Sequence, residues 1–112
     1  MESILKEQDI NIFLNKIERN FPNFVAGIIT DKNGFPIASK IPKNFGIPEN
    51  ELALSAITSE ERTFIKNQNF LSVKRNLGES NDIVLFLLLQ KTNKYVNRFK
   101  VLNEMVKNQT FF

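Results

Sequence analysis

The chain of 112 residues contains no cysteine, no histidine and no tryptophan. The missing cysteines exclude a disulfide framework, a thiolate nucleophile and a cysteine-rich zinc site. The missing histidines remove the side chain that proteins use most often as a general base and as a metal ligand. Several of the commonest catalytic and metal centres are therefore excluded before any motif is considered.

Glycine is also scarce, and its positions carry no phosphate-binding pattern. The four glycines are Gly27, Gly34, Gly46 and Gly78. Their spacing matches neither a P-loop nor a dinucleotide-binding fingerprint, so a nucleotide hydrolase of those kinds is excluded.

The carboxylates offer no clear acid/base pair. Glu60 and Glu61 are neighbours on a predicted helix, where adjacent side chains point about 100° apart, so they cannot form one tight pair by themselves. A solvated polar face explains them more simply than catalysis does, and a contact surface for a partner is a third interpretation. We therefore predict that the chain is not an enzyme and has no catalytic, cofactor-binding or metal-binding residues.

The net charge of +3 is too small to indicate a nucleic-acid partner. The C-terminal half is nonetheless basic, through Lys74, Arg75, Lys91, Lys94, Arg98, Lys100 and Lys107. Together with Phe70 these residues are compatible with single-stranded nucleic acid, but a stacking platform needs more rings than this, and Asp82 and Glu104 dilute the charge. Solubilising charge is the preferred interpretation.

Two features predict a cytoplasmic protein that does not insert into a membrane. The acidic start, Met1-Glu2-Ser3, has no apolar stretch suited to a signal peptide. The longest apolar run, Ile83 to Leu89, is far shorter than the roughly 20 residues that a membrane helix needs.

Apolar spacing predicts a helix at each end of the chain. Steps of three and four residues define one apolar face from Ser3 to Asn20, and Pro22 ends that helix. A last helix begins at Thr92, which is a favourable capping residue. Its apolar face consists of Tyr95, Val96, Phe99, Leu102 and Val106.

Two segments have the composition of central strands. These segments are Phe24 to Thr30 and Ile83 to Gln90. In each, the residues that would point to one face of the strand and those that would point to the other are both mainly apolar, which indicates strands covered on both faces of a sheet. Strict alternation would place Phe24 on the same face as Ala26, and Gly27 is expected to let a helix approach closely. All of the chain is predicted to belong to one domain, residues 1–112.

The other two predicted strands differ from these. Phe35 to Ile41 contains Pro36, which cannot donate a ladder hydrogen bond, so we expect this strand at a sheet edge. Asn69 to Leu77 has only one apolar face. Between the first two strands, Asp31 to Gly34 fits a type I turn followed by a left-handed glycine. We expect this turn to be structural rather than functional.

The second helix, from Pro48 to about Asn67, has more apolar surface than a single sheet contact requires. Its apolar residues are Leu52, Ala53, Leu54, Ala56, Ile57, Phe64 and Ile65. A helix lying on one sheet would show an apolar arc of about 100°. The extra width predicts a second partner surface and hence a homodimer.

The elements therefore alternate as helix, strand, strand, helix, strand, strand, helix. This order predicts an α/β sandwich of the α+β class, with an antiparallel sheet that carries the first and third helices on one face and the second helix on the other.

The hairpin and the second helix together resemble the roadblock (dynein light chain roadblock-type) domain family. The resemblance is carried by Phe24-Val25-Ala26-Gly27-Ile28-Ile29-Thr30-Asp31-Lys32-Asn33-Gly34-Phe35-Pro36-Ile37-Ala38-Ser39, followed by Glu51-Leu52-Ala53-Leu54-Ser55-Ala56-Ile57. In that family the hairpin is typically an apolar strand, Asp-x-x-Gly, an apolar residue, Pro, Ile or Val, Ala and Ser. The order of elements matches over nearly the whole chain.

The resemblance implies a dimeric module without a catalytic centre or cofactor. Members of the family regulate or scaffold Ras-like small GTPases, or serve as adaptor subunits of larger assemblies. In dimeric members the second helix packs antiparallel against its mate. The dimer interface is accordingly expected at Leu52, Ala53, Leu54, Ile57 and Phe64, and the GTPase contact at Ser59, Glu60, Arg62 and Thr63.

One departure from the family concerns the sheet. Family members usually have three strands between the second and third helices, whereas Asn69 to Lys91 suffices for two long ones, which makes this a shortened roadblock- or longin-like fold. A lost strand would be the edge strand through which family dimers join their sheets. The helix–helix half of the interface is therefore expected to carry over better.

Two other functions stay open. The runner-up is a longin- or profilin-like module that binds another protein as a monomer or as an adaptor subunit. A small sensor domain for an apolar ligand is the third, and a cavity lined by several of the eleven phenylalanines would be its mark.

Overall fold

The computed structural model describes residues 2–57, 70–77, 82–90 and 98–109, and the side chains of these residues except at positions 2–7 and 98. The described elements are α1 (Glu2–Asn20), β1 (Phe24–Asp31), β2 (Pro36–Lys40), α2 (Glu49–Ile57), β3 (Phe70–Asn76), β4 (Ile83–Gln90) and α3 (Arg98–Asn108). Three helices and a four-stranded antiparallel sheet within these ranges confirm the α+β class.

The strands lie in the order β2-β1-β4-β3, and each neighbouring pair is antiparallel. β1 and β4 are the central strands, as their continuous apolar sequences predicted, because a strand covered on both faces needs no polar side. Among the described strands β2 and β3 are at the edges, which confirms the position expected for the strand that contains Pro36.

The helices cover the two faces of this sheet with separate apolar clusters. One cluster joins α1 and α3 to the sheet and contains Ile10, Phe13, Leu14, Ile17, Ile29, Leu85, Leu87, Leu89 and Leu102, among others. The other joins α2 to the opposite face and contains Ala26, Ile28, Leu52, Ala53, Ala56, Phe86 and Leu88. Because successive residues of a strand point to opposite faces, β4 contributes its odd-numbered leucines to the first cluster and Phe86 and Leu88 to the second.

An irregularity at the start of β1 changes which face Phe24 occupies. The pairing of β1 with β4 shifts register between Phe24 and Ala26. The extra residue reverses the alternation, so Phe24 packs with the α1 and α3 cluster while Val25 joins Ala26 in the α2 cluster. The expectation that Phe24 shares a face with Ala26 is wrong for this reason.

Gly27 is needed because of the same irregularity. A β-carbon at Gly27 would lie 3.0 Å from Leu87 Cδ2 and 3.1 Å from Phe24 Cζ. The space beside this glycine is thus filled by two side chains of the sheet. The expectation of a close helix approach at Gly27 is corrected accordingly.

Several predicted features lie outside the described residues. These are the second helix beyond Ile57, the cap at Thr92, and Phe64, Ile65, Tyr95 and Val96. Within the described helices, no stretch is both long enough and apolar enough to cross a membrane.

Candidate interaction surface

The hairpin turn between β1 and β2 is held by hydrogen bonds to Asp31. The Asp31 carboxylate oxygen Oδ1 accepts from the backbone N–H groups of Asn33 (2.9 Å) and Phe35 (3.0 Å). The N–H of Gly34 donates to the Asp31 carbonyl at 3.1 Å, and Gly34 has a φ of 86°. The left-handed glycine predicted from the sequence is therefore confirmed, and an acidic side chain organises the loop around it.

Phe35, the residue that follows this glycine, has a fixed backbone and an exposed ring. Besides the bond from its N–H, its carbonyl accepts from the Asp31 N–H at 3.1 Å and from the Thr30 hydroxyl at 2.8 Å. Thr30 is fully buried, whereas Phe35 is 66% exposed. The turn thus presents a large apolar side chain to solvent from a well-defined position.

The second helix begins where Pro48 sets the first turn. The N–H groups of Glu51 and Leu52 both donate to the Pro48 carbonyl at 3.1 Å, and the Ser39 hydroxyl of β2 donates to the Glu49 carboxylate. Proline suits this position because it has the helical φ and no N–H to leave unpaired. These contacts set α2 across the sheet, and so determine which of its side chains face outward.

The residues predicted for a dimer interface divide between the two sides of α2. Leu52 and Ala53 are fully buried against the sheet, so they have no exposed surface to offer to a mate. Leu54 is 42% exposed and Ile57 is half-buried. Among the described members of the predicted set, only Leu54 and Ile57 are placed where a second chain can reach them.

The hairpin turn lies directly against these two residues. A β-carbon at Gly34 would be 3.1 Å from Ile57 Cδ1 and 3.3 Å from Leu54 Cδ2. The turn therefore packs against the outer side of α2. The contacting residues Gly34, Leu54 and Ile57, together with the exposed Phe35 that follows Gly34 in the chain, are called the turn–helix surface. Large apolar residues exposed elsewhere in the described part of the chain are Ile12 on α1 and Leu71 on β3.

Phe35 has no functional role that the sequence pattern alone predicts. The available signal was a large apolar residue at a turn position, where the chain reverses and a side chain commonly faces solvent. Of the other predicted contacts, Ser59, Glu60, Arg62, Thr63 and Phe64 all lie outside the described residues. Their relation to the turn–helix surface stays a prediction.

Two open grooves occur elsewhere on the molecule. One, of about 350 Å³, lies between α1 and α3 and includes Phe13, Val101 and Met105 in its lining. The other, of about 450 Å³, lies where β1 and β2 separate and includes Phe24 and Lys40. Neither of these two grooves has more than one described phenylalanine in its lining, so neither has the character expected of an apolar sensor.

Lys40, in the second of these grooves, already has polar partners. Its Nζ donates to Asn15 Oδ1 at 2.5 Å and lies 3.5 Å from Glu18 Oε1. Both partners belong to α1, so the interactions connect that helix to edge strand β2. These interactions give Lys40 a structural role.

Within the described residues, no group of three or more acidic side chains is placed to hold a metal ion. Burial lowers the pKa of Lys74, whose Nζ lies 5.7 Å from the centroid of the Phe86 ring. Lys74 is thus a partly desolvated lysine above an aromatic ring, an arrangement that occurs in many sheets without catalysis.

Comparison of the sequence with protein-family models finds no match, and comparison with curated proteins finds none. Function is therefore inferred from two sources. One is the geometry of the turn–helix surface, and the other is the set of sequence features that resemble the roadblock family.

Proposed function

We propose that the protein is a non-catalytic, cytoplasmic binding module with a shortened roadblock- or longin-like fold. It forms a homodimer through the outer side of α2, and the dimer regulates or scaffolds a Ras-like small GTPase. The observation that carries the proposal is the exposure of Leu54 on a helix whose opposite side is fully buried. Leu54, together with the half-buried Ile57, gives the outer side of the helix apolar surface that is available to a second chain.

The arrangement of the core supports the proposed fold. The α1 and α3 residues share one apolar cluster with the sheet, and the α2 residues share the other. In the described part of the chain, neither α1 nor α3 shares the α2 cluster, so the outer side of α2 faces away from the sheet and from those helices. It is the surface through which the resemblance implies dimerisation.

The hydrophobic effect provides the driving force for the dimer. Leu54 is 42% exposed in the single chain, and pairing around a two-fold axis would bury it twice, once in each copy. Each fully buried leucine contributes about 1.5–3 kcal/mol relative to full exposure, so a partly exposed one contributes proportionately less. Leu54 alone is too small for a stable dimer, and its neighbours must contribute.

The GTPase half of the proposal rests on the resemblance alone. Ser59, Glu60, Arg62 and Thr63 follow within six residues of Ile57 in the sequence, so a dimer would present each of them twice, once on each side of the two-fold axis. Their charges would influence register and association rate more than affinity. Glu60 is the charged member whose reversal offers the clearest test.

Two measurements test the proposal. The first is the molar mass of the native chain by light scattering at micromolar concentration, where a dimer is expected. The second is a binding series against Ras-like GTPases of the host in both nucleotide states, with Glu60→Arg and the control Asp9→Arg. Asp9 is exposed on α1, so Asp9→Arg makes the same charge change on a helix that packs against the opposite face.

The expected result is weaker GTPase binding for Glu60→Arg only, with the dimer and the melting curve unchanged. A stable monomer would contradict the dimer and favour the longin- or profilin-like alternative. A dimer that binds none of the GTPases would contradict the regulatory role and leave an adaptor subunit as the function.

A further inference from the structure

We infer that Phe35, on the hairpin turn, anchors the contact with a second copy of this chain. The inference rests on the proposed dimer and extends its interface from α2 to the turn. Sequence reasoning gave this turn a purely structural role, and the exposure of its aromatic residue gives it a second one.

The backbone of Phe35 is held in one position by the turn. Its N–H and carbonyl make three hydrogen bonds, to the Asp31 carboxylate, the Asp31 N–H and the Thr30 hydroxyl. The residue as a whole is 66% exposed. A phenylalanine loses only two side-chain torsions when it becomes ordered, and a preformed backbone reduces the entropy lost on binding further. Rigid aromatic side chains of this kind dominate the energetics of protein interfaces.

The turn packs against the second helix. Gly34 brings the turn into contact with Leu54 and Ile57, with no room for a larger residue between them. Phe35 follows Gly34 in the chain, so its backbone lies close to these two helix residues. The nine described residues of α2 span only about 13 Å. A stable interface buries about 800 Å² on each partner, so the turn supplies area that this helix segment lacks.

Exposed charges on the turn and on the helix favour a second copy as the occupant. Lys32, two residues before Gly34, and Glu51, one helical turn before Leu54, flank the residues of the turn–helix surface in the sequence, are exposed and carry opposite charges. In a two-fold pairing the same surface meets itself, so Lys32 of one copy can approach Glu51 of the other in both halves of the interface. A surface flanked by both positive and negative charges can pair with a copy of itself, whereas a surface flanked by charges of one sign would repel its copy.

The existing partner of Lys32 does not prevent this pairing. Lys32 Nζ lies 3.8 Å from Asp82 Oδ1, and both side chains are more than half exposed. Such surface ion pairs contribute little and exchange readily, because water screens both charges. Asp82 therefore does not prevent Lys32 from pairing with Glu51 of a second copy, and it serves as a control position.

The central experiment compares Phe35→Ser with Ile12→Ser by sedimentation over a concentration series. Ile12 is 50% exposed on α1, so its variant also removes an exposed apolar side chain, but far along the chain from the turn. We expect the dimer dissociation constant to rise about tenfold or more for Phe35→Ser, since each dimer loses two anchors. It should stay unchanged for Ile12→Ser.

A charge exchange tests the occupant and its two-fold placement. Lys32→Glu and Glu51→Lys should each weaken the dimer, and the chain that carries both changes should regain affinity to within about threefold of the native value. Asp82→Asn removes the partner of Lys32 within the same chain and should leave the dimer unchanged. Circular dichroism of every variant checks that the fold is retained.

The outcomes separate this inference from the proposed function. A native chain that is monomeric at micromolar concentration overturns the proposed dimer and the inference together. A native dimer that is equally strong with Phe35→Ser overturns the inference and leaves the dimer through α2 in place. Weakening by both single charge changes without recovery in the double variant overturns the two-fold placement of the turn.

Discussion

Gly34 of the hairpin turn lies directly against Ile57 of the second helix, where an added β-carbon would be 3.1 Å from Ile57 Cδ1. The same glycine has a φ of 86°, a conformation that residues with a side chain rarely adopt. One position therefore satisfies two requirements, the geometry of the turn and the approach of the helix. Both can be tested separately, because Gly46 has a φ of 84° and no atom near its added β-carbon.

Gly34→Val should destabilise the fold more than Gly46→Val. Both substitutions force a β-branched residue into the left-handed region, at a cost of roughly 1–2 kcal/mol. Only Gly34→Val also pushes Ile57 and Leu54 aside, which adds about 1–3 kcal/mol of overpacking. Urea denaturation measures both variants against the native chain. An equal loss of stability in the two variants would show that the turn–helix contact is not tight.

Leu54→Glu should convert the proposed dimer to a monomer without unfolding the chain. Leu54 is 42% exposed, so the charge remains solvated in the single chain, whereas a dimer interface would have to desolvate it. Size-exclusion chromatography with light scattering gives the molar mass, and circular dichroism gives the fold. Ile12→Glu, on α1, is the matched control and should leave the mass unchanged. A Leu54→Glu chain that remains dimeric would exclude this side of α2 from the interface.

Gly27→Ala should destabilise the protein by about 1–3 kcal/mol, because the added methyl group meets Leu87 and Phe24 in a filled core. Part of this loss is offset by about 0.4–1 kcal/mol, since alanine lowers the entropy of the unfolded chain. In the double variant of Gly27→Ala with Phe24→Leu, the ring no longer meets the added methyl group. The double variant should therefore lose less stability than the sum of the losses in the two single variants. Urea denaturation of the four chains gives the coupling energy. Strict additivity would mean that Phe24 does not occupy this space.

Lys74 should make the stability depend on pH in the alkaline range. Burial lowers its folded pKa below the ordinary value of 10.5, so between the two values the unfolded chain binds more protons than the folded chain. The contribution of Lys74 to stability therefore rises as the pH rises through this window. Lys74→Met keeps most of the aliphatic side chain and removes the charge.

The native chain should accordingly gain stability relative to Lys74→Met between neutral pH and pH 10.5, as measured by urea denaturation at several pH values. Comparing the two chains cancels the titration of the other lysines. A stability difference that does not vary over this range would show that Lys74 titrates as in the unfolded chain.

Local sequence patterns were sufficient for the described strands and for the turn. β4 has the bounds predicted, Ile83 to Gln90, because a run of apolar residues between polar ones defines a buried central strand. Pro36 indicated an edge strand because it lacks a donor, and Asp31 to Gly34 indicated the turn because few residues adopt a positive φ. Each of these depends on the chemistry of a residue and its close neighbours.

Only the tertiary structure decided which apolar residues are buried and which are exposed. Leu52 and Leu54 are chemically identical and two positions apart, yet Leu52 is fully buried and Leu54 is 42% exposed, because the sheet meets one side of α2. The face of Phe24 depends on an irregularity in strand pairing, which alternation along one strand does not encode. The sequence by itself determined the elements and their order. How they pack together determined the surface left for a partner, because burial depends on contacts between residues distant along the chain.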